Sequence, residues 1–183
     1  MNLNKWYDKG LAPEEYLGAL EYHKDNCLHI YNNFSIPEDE ETVSKIKEKN
    51  LRVIALAEVW CGHCMLCAPI LLRLAEKVGM PVKFLPRDEN LELMDRYQTN
   101  GKRIIPIFIF IDQDGNEITK WGPMSETTRE FVDEAKKDLP AKDSEDYDEK
   151  FKSFIKRTTK ELSGNSVLWK GTYDSIVNKL VNS

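Results

Sequence analysis

The sequence lacks the patterns that mark membrane proteins and nucleic-acid-binding proteins. No segment approaches 18 consecutive apolar residues, and the first residues contain no apolar stretch of the kind found in export signals. Lysine and arginine number 26 against 31 aspartates and glutamates, and no basic stripe is visible. We therefore expect a cytoplasmic protein with neither a membrane nor a nucleic acid as its partner.

Cysteine is also scarce. The four cysteines are Cys27, Cys61, Cys64 and Cys67. In a reducing compartment so few cysteines are not expected to form a structural disulfide framework, which makes catalysis or metal binding the better explanation of a close pair. Apolar residues make up 41% of the 183 residues, enough for the core of one domain with additional helices.

The periodicity of apolar residues predicts an α/β domain. Strands are predicted at 52–57, 82–85, 105–111 and 117–121. Helices are predicted at 13–34, from a capping box at 35–38 to Asn50, at 65–78 with Gly79 as the C-cap, at 91–97 and at 125–139. This order implies a central mixed sheet with a parallel βαβ part and a terminal antiparallel hairpin.

A Cys-x-x-Cys pair follows the first predicted strand. Residues 60–64 read Trp-Cys-Gly-His-Cys and stand between the strand at 52–57 and the next helix. The unpaired N–H groups and the dipole at the start of that helix would favour the thiolate of Cys61, the form that attacks a disulfide. Cys64, one helical turn on, is close enough to attack a mixed disulfide at Cys61. The pattern predicts thiol–disulfide exchange without an organic cofactor.

Landmarks in a specific order resemble the thioredoxin superfamily over residues 38–139. They are the motif at 60–64, Pro69 where the family's helix carries a kink proline, Pro106 at the cis-proline step, and Gly122 as a later groove glycine. The resemblance implies a thioredoxin-like fold, a central mixed sheet flanked by helices. More narrowly, the helices at both ends resemble those of a group of bacterial thioredoxin-like proteins.

The same resemblance implies roles for the residues around the pair. Cys61 would attack a substrate disulfide and Cys64 would resolve the adduct. Trp60, Ile105 and Pro106 would frame the groove, with a cis bond before the proline. The Ile105 backbone would pair with an extended segment of a disulfide-containing protein substrate. An unidentified electron donor would restore the dithiol.

Two positions depart from the thioredoxin pattern. Thioredoxins usually carry a buried carboxylate six residues before the first active-site cysteine, where this chain has Ala55. Glu58 is three residues further on, so strand alternation would turn it to the other face of the sheet. His63 stands where disulfide isomerases have histidine, and its imidazolium would favour the Cys61 thiolate and make the disulfide a stronger oxidant.

Cys67 extends the motif to Cys-x-x-Cys-x-x-Cys and has three interpretations. The favoured one is a packed thiol, and the second is a third redox-active thiol that captures Cys64. The third is a metal site, which helix geometry disfavours because positions three apart rotate around the axis and no further ligand pair follows. We therefore expect no metal. Cys27 lies on an apolar helix stripe, where packing is the simplest explanation.

Helical extensions are predicted on both sides of the domain. The chain divides into an N-terminal extension at 1–37, the thioredoxin-like domain at 38–139 and a C-terminal extension at 140–183. The last segment contains two amphipathic helices separated by Gly164. We expect these helices to pack on the same domain, and a homodimer through the terminal helices is the alternative.

The sequence thus predicts a protein disulfide oxidoreductase of cell redox homeostasis, acting on protein or small-molecule disulfides through its dithiol. One alternative is a non-catalytic thioredoxin-like module that binds a partner or senses redox state. A metal-binding module is a second alternative. The direction of exchange stays open at this stage.

Overall fold

The computed structural model describes residues 2–183, which are built around a four-stranded sheet. The strands are β1 (Arg52–Ala57), β2 (Val82–Pro86), β3 (Ile107–Ile111) and β4 (Glu117–Trp121). They lie in the order β2-β1-β3-β4. β1 pairs with β2 in parallel, while β3 runs antiparallel to both β1 and β4. This mixed sheet, flanked by helices, confirms the predicted fold class.

Helices flank the sheet and extend the chain at both ends. They are α1 (Asn4–Asp8), α2 (Pro13–Ala19), α3 (Lys24–Asn33), α4 (Glu40–Glu48), α5 (Gly62–Val78), α6 (Leu91–Met94), α7 (Glu126–Lys136), α8 (Tyr147–Gly164) and α9 (Ser166–Val181). A 3-10 turn at Asp95–Tyr97 follows α6. Within residues 2–183, no helix is both long and apolar enough to cross a membrane.

The two central strands are buried because their sequences are apolar at nearly every position. All of β3 and every residue of β1 after Arg52 are buried. Such continuous apolar runs are typical of strands covered on both faces. The edge strand β4 is mostly exposed and ends at Trp121, whose ring stacks on Phe108 with centroids 5.2 Å apart. The sheet therefore presents β1, the strand that leads into the Cys-x-x-Cys motif, at its protected centre.

The N-terminal segment covers the other edge of the sheet. Leu11 N donates to Phe84 O at 2.8 Å, and Phe84 N donates to Leu11 O at 2.9 Å. These two hydrogen bonds satisfy backbone groups that β2 would otherwise leave open. Helix α2 starts immediately afterwards, so the bridge fixes where that helix enters the fold.

Three sequence predictions of element boundaries were wrong. The single helix predicted at 13–34 is two helices, because buried Leu20 takes an extended conformation between α2 and α3. The capping box at 35–38 does not open α4, which instead begins after Asp39, whose carboxylate accepts Thr42 N at 3.0 Å. The strand predicted from residue 105 begins at Ile107, since Pro106 has no N–H for the ladder.

Other predicted boundaries agree with the structure. The strands at 52–57 and 117–121 have the predicted limits. Gly79 ends α5 with φ 70°, a left-handed conformation that glycine adopts without a steric penalty. Ser125 caps α7, and its side chain accepts Thr128 N at 3.2 Å.

The C-terminal helices pack on the core of the sheet. Leu162, Trp169 and Ile176 belong to the same buried cluster as the strands. Helix α9 contacts α5, α7 and β4. Trp121 Nε1 donates to Ser175 Oγ at 2.9 Å, which ties the edge strand to α9. The division of the chain at residues 37 and 139 stays a prediction, and Met1 of the first segment lies outside the described residues.

Candidate active site

The Cys-x-x-Cys pair lies where β1 passes into α5. Cys61 is the N-cap of α5, with extended backbone angles of φ −86° and ψ 119°. Its Sγ accepts the N–H of Cys64 at 3.4 Å, and its own N–H donates to Glu58 O at 3.2 Å. Cys61 is 9% exposed and Cys64 is fully buried. Cys61 therefore retains a small exposed fraction, whereas Cys64 retains none.

The two thiols have opposite pKa shifts. The hydrogen bond with the Cys64 side chain lowers the pKa of Cys61, and the N–H groups of Cys64 and His63 and the charge of Arg87 act in the same direction against burial. Burial raises the pKa of Cys64 well above its usual value, and the neighbouring Cys61 adds to that rise. Cys61 is therefore the thiol that ionises, and Cys64 keeps its proton.

The loop before β3 lies beside Cys61. The Ile105–Pro106 peptide bond is cis, and Cys61 Sγ lies 3.9 Å from Ile105 O. Gly122 has φ 129°, and a Cβ at this position would lie 2.2 Å from Pro106 O. Only glycine allows such a close approach of two backbone segments. The structure thus brings the predicted groove residues together with the motif, although their roles stay predictions.

Arg87 joins three loops around the pair. Its guanidinium lies 5.0 Å from the ring centroid of Trp60, which is 50% exposed. Its Nη1 donates to Arg103 O at 3.1 Å, and its Nε donates to Asp88 Oδ1 at 2.9 Å. The half-exposed Trp60 therefore contacts a cation that also lowers the pKa of Cys61.

Arg87 was not among the predicted site residues, although its position after the second parallel strand indicates that it lies near the Cys-x-x-Cys motif. Arg87 comes directly after β2, and its N–H donates to Ala57 O at the end of β1 at 3.3 Å. The carboxyl ends of neighbouring parallel strands meet at one edge of the sheet, where reactive groups gather. A cation just beyond a predicted second parallel strand is therefore a candidate neighbour of a motif that follows the first strand.

His63 differs from its prediction. Burial lowers the pKa of its imidazole, and the charge of Lys136 lowers it further, so the neutral ring is favoured. The group of His63 that acts on Cys61 is the backbone N–H. The positive charge that lowers the pKa of Cys61 is therefore that of Arg87 and not the expected imidazolium of His63. The Nδ1 atom of His63 is buried without a hydrogen-bond partner among the described residues.

Glu58 is buried next to the motif but directs its carboxylate elsewhere. It is 8% exposed, and its Oε1 accepts Asp88 N at 2.9 Å. Burial raises the pKa of this carboxyl group. Ala55 is fully buried within β1 and carries no polar side-chain atom. The side chain of Glu58 therefore forms its hydrogen bond with the loop after β2.

Cys67 and Cys27 are both fully buried. Burial raises the pKa of Cys67 well above its usual value and that of Cys27 to about 12. These shifts favour unreactive thiols. All four cysteines are free thiols. Among residues 2–183, no group of three or more histidine, cysteine, aspartate or glutamate side chains is placed to hold a metal ion.

Two surface grooves are lined by residues outside the Cys-x-x-Cys motif. One groove of about 600 Å³ is lined by residues from α2, α3 and α5, including Leu17, Tyr31 and Ala75. Another of about 520 Å³ is lined by the end of α3, the segment that follows it, α7 and α9, and includes Phe34 and Trp169.

Comparisons with known proteins found one family model and several similar structures. Residues 10–136 match the family model described as thioredoxin. A Pseudomonas aeruginosa protein of unknown function is 12% identical, with a TM-score of 0.62 over 89% of this chain and 95% of that chain. An HIV epitope scaffold is 13% identical, with a TM-score of 0.65 over 100% and 96%. A Fasciola hepatica thioredoxin is 28% identical over 52% of this chain and 88% of that one, with a TM-score of 0.35. No curated protein matches the chain.

Proposed function

The chain belongs to the thioredoxin family, and from this premise we propose that it is a thiol–disulfide oxidoreductase that acts through Cys61 and Cys64. One observation carries the proposal: Cys61 sits at the N-cap of α5 with a lowered pKa, directly above a buried Cys64 with a raised pKa. An attacking thiolate and a protonated resolving thiol are the two groups that such a reaction needs.

The proposed reaction has two exchange steps. In the first, the Cys61 thiolate attacks one sulfur of a substrate disulfide, and the other sulfur leaves as a thiolate that takes up a proton. In the second, Cys64 loses its proton and attacks Cys61 Sγ, which releases the reduced substrate and leaves a Cys61–Cys64 disulfide. A donor dithiol then reverses these steps on the enzyme. Hydrogen bonds from the start of α5 favour the negative charge on Cys61 before the first step.

The proposed substrate is a disulfide within an extended protein segment. The Ile105 carbonyl lies 3.9 Å from Cys61 Sγ, so a segment that pairs with this loop would place its own sulfur within reach. Trp60 is half exposed beside it and offers an apolar surface. Backbone pairing supports a broad range of sequences, with Trp60 and Arg87 adding selectivity at one side of the groove.

The alternative is a non-catalytic module that binds a partner or senses redox state. The half-exposed Trp60 and the helices at both ends are compatible with binding, but binding alone does not require opposite pKa shifts in the two thiols. The two functions make different predictions for a serine at position 61. An oxidoreductase loses turnover, whereas a binding module keeps its partner.

The direct test is to equilibrate the protein in glutathione redox buffers, alkylate free thiols and map the pairing by mass spectrometry. We expect one reversible two-electron transition confined to Cys61 and Cys64. The Cys61→Ser variant should lose this transition. It should also no longer accelerate the reduction of insulin disulfides by dithiothreitol above the uncatalysed rate. The Cys27→Ala variant, which removes a buried thiol outside the motif, is the matched control and should keep both. Absence of a Cys61–Cys64 disulfide across the whole range would reject the proposal.

A further inference from the structure

A tyrosine from the N-terminal helices reaches the buried side of the dithiol. Tyr16, in α2, is 3% exposed, and its ring stacks on that of Phe84 with centroids 4.0 Å apart and planes 4° from parallel. Phe84 is the register partner of Ala55 across the β1–β2 pair. Register partners on neighbouring strands direct their side chains to the same face of a sheet. The Tyr16 ring therefore covers the face on which Ala55 stands.

The Tyr16 hydroxyl points toward the motif. It donates to Glu58 O at 3.5 Å, and the same carbonyl accepts Cys61 N at 3.2 Å. Burial raises the pKa of Tyr16 far above its usual value, and negative charge on Cys64 is the next largest cause. The phenol is thus a neutral hydrogen-bond donor within electrostatic range of Cys64.

The polar group that thioredoxins usually place behind the resolving cysteine is missing. Ala55 occupies its position, and the Glu58 carboxylate is engaged with Asp88 N at 2.9 Å. Cys64 is fully buried, and burial raises its pKa well above the usual value although a hydrogen bond with the Glu58 backbone acts in the opposite direction. Its ionisation during the second exchange step is therefore costly unless a further hydrogen-bond donor assists it. Tyr16 is placed to supply one.

We propose that Tyr16 is a catalytic residue of the resolving step, in which its hydroxyl turns from Glu58 O and donates a hydrogen bond to the Cys64 sulfur as that thiol ionises. This inference rests on the proposed function. In the step, a bond forms between Cys64 Sγ and Cys61 Sγ while the bond from Cys61 to the substrate sulfur breaks. The substrate sulfur leaves as a thiolate and takes up the proton that Cys64 lost. Tyr16 keeps its own proton throughout.

Several other titratable groups surround Tyr16 and Cys64. Cys27, Cys61 and Glu58 act on the Tyr16 phenol besides Cys64. Cys67 faces Cys64 from the next turn of α5. The Tyr16→Phe variant leaves all five groups in place and keeps the ring that stacks on Phe84. It therefore removes the hydroxyl with the smallest change in packing.

The test mixes reduced full-length protein with a limiting amount of the aromatic disulfide 5,5′-dithiobis(2-nitrobenzoate) in a stopped-flow instrument. Attack by Cys61 releases a first coloured thiolate, and resolution by Cys64 releases a second. For Tyr16→Phe we expect the second phase to slow by about tenfold at pH 7 and its pH midpoint to rise by about one unit. The first phase should change by less than about twofold. Tyr31→Phe, which removes an exposed hydroxyl bonded to Glu76, is the matched control.

The outcomes separate the two proposals. A wild-type protein without a second phase would reject the proposed function itself. A wild-type second phase that Tyr16→Phe reproduces, or a uniform slowing without a shift of the pH midpoint, would reject the role of Tyr16 alone. Incorporation of 3-fluorotyrosine at position 16 provides a second variant with a more acidic hydroxyl, which should accelerate the second phase. Unchanged kinetics in that variant would also count against Tyr16.

Discussion

The N-cap of α5 and the positions inside this helix shift the pKa of cysteine in opposite directions. Cys61, at the N-cap, retains a 9% exposed surface and has a lowered pKa. Cys64 and Cys67, three and six residues further on, are fully buried and have raised pKa values. All three belong to one helix and one chemical type. The difference shows that position relative to the helix start and to solvent sets the direction of a thiol's pKa shift.

The cause of the lowered pKa of Cys61 is local, whereas the cause of the raised pKa of Cys64 is tertiary burial. Cys61 faces N–H groups that have no partner within the helix, and these groups favour a negative charge. Cys64 is fully buried in a helix that packs against α3 and α9. This burial penalises its thiolate by more than the hydrogen bond with the Glu58 backbone stabilises it. The following predictions change one side of the contrast at a time.

The largest effect is expected from Cys64→Ser, which removes the resolving thiol and leaves the attacking one. Turnover in a disulfide-reduction assay should fall by about a hundredfold or more, because the adduct at Cys61 has no internal exit. A mixed disulfide between Cys61 and the substrate should accumulate and be visible on a non-reducing gel. Turnover that persists at the wild-type rate would show that Cys64 is not the resolving residue.

A smaller effect is expected from Arg87→Gln, which removes the positive charge near Cys61. The pKa of Cys61 is lowered in the native protein, so its thiolate is present above a pH that is lower than for an ordinary cysteine. Loss of the guanidinium should raise that pKa, because one of the groups that lower it is removed. The pH profile of alkylation by iodoacetamide should therefore move to higher pH.

Arg103→Gln is the matched control for this shift. The Arg103 side chain pairs with Asp95 at 2.7 Å, while the contact with Arg87 is made by the Arg103 backbone carbonyl. This control removes the same charge from the neighbouring loop and should leave the profile of Cys61 near its wild-type position. Equal shifts in both variants would argue against a specific role of Arg87.

The smallest effect on turnover is expected from Cys67→Ala. Cys67 is fully buried and its raised pKa keeps the thiol protonated, so turnover should stay within about twofold of the wild type. The free energy of unfolding should decrease by about 1 to 2 kcal/mol because a buried sulfur is lost from the core. A large loss of turnover, or a Cys64–Cys67 disulfide in alkylation maps, would support the third-thiol hypothesis instead.

Much of the fold was predictable because short sequence patterns carry the needed information. The apolar run 107–111 and the stretch 52–57 indicated buried strands, and Gly79 indicated the end of α5. The boundary errors occurred where several polar residues could serve as caps, as at Asp39, or where tertiary burial overrode periodicity, as at Leu20. Such choices depend on contacts that a window of neighbouring residues does not contain.

The sequence by itself determined the order of the four strands along the chain, the family and the position of the candidate nucleophile. The helix that starts after Cys61 follows from local spacing, and so does the proximity of Cys64 one turn later. These properties depend on hydrogen bonds and side-chain periods within a few residues. Local physics is therefore sufficient to place the dithiol at the carboxyl end of β1.

The tertiary structure alone decided what surrounds the dithiol. It brought Arg87 against Trp60, left His63 neutral, turned Glu58 toward Asp88 and placed Tyr16 over the sheet. These groups come from separate segments, and their distances are set by strand pairing and helix packing. Electrostatic effects on a buried thiol depend on those distances and on the exclusion of water, which only the packed chain fixes.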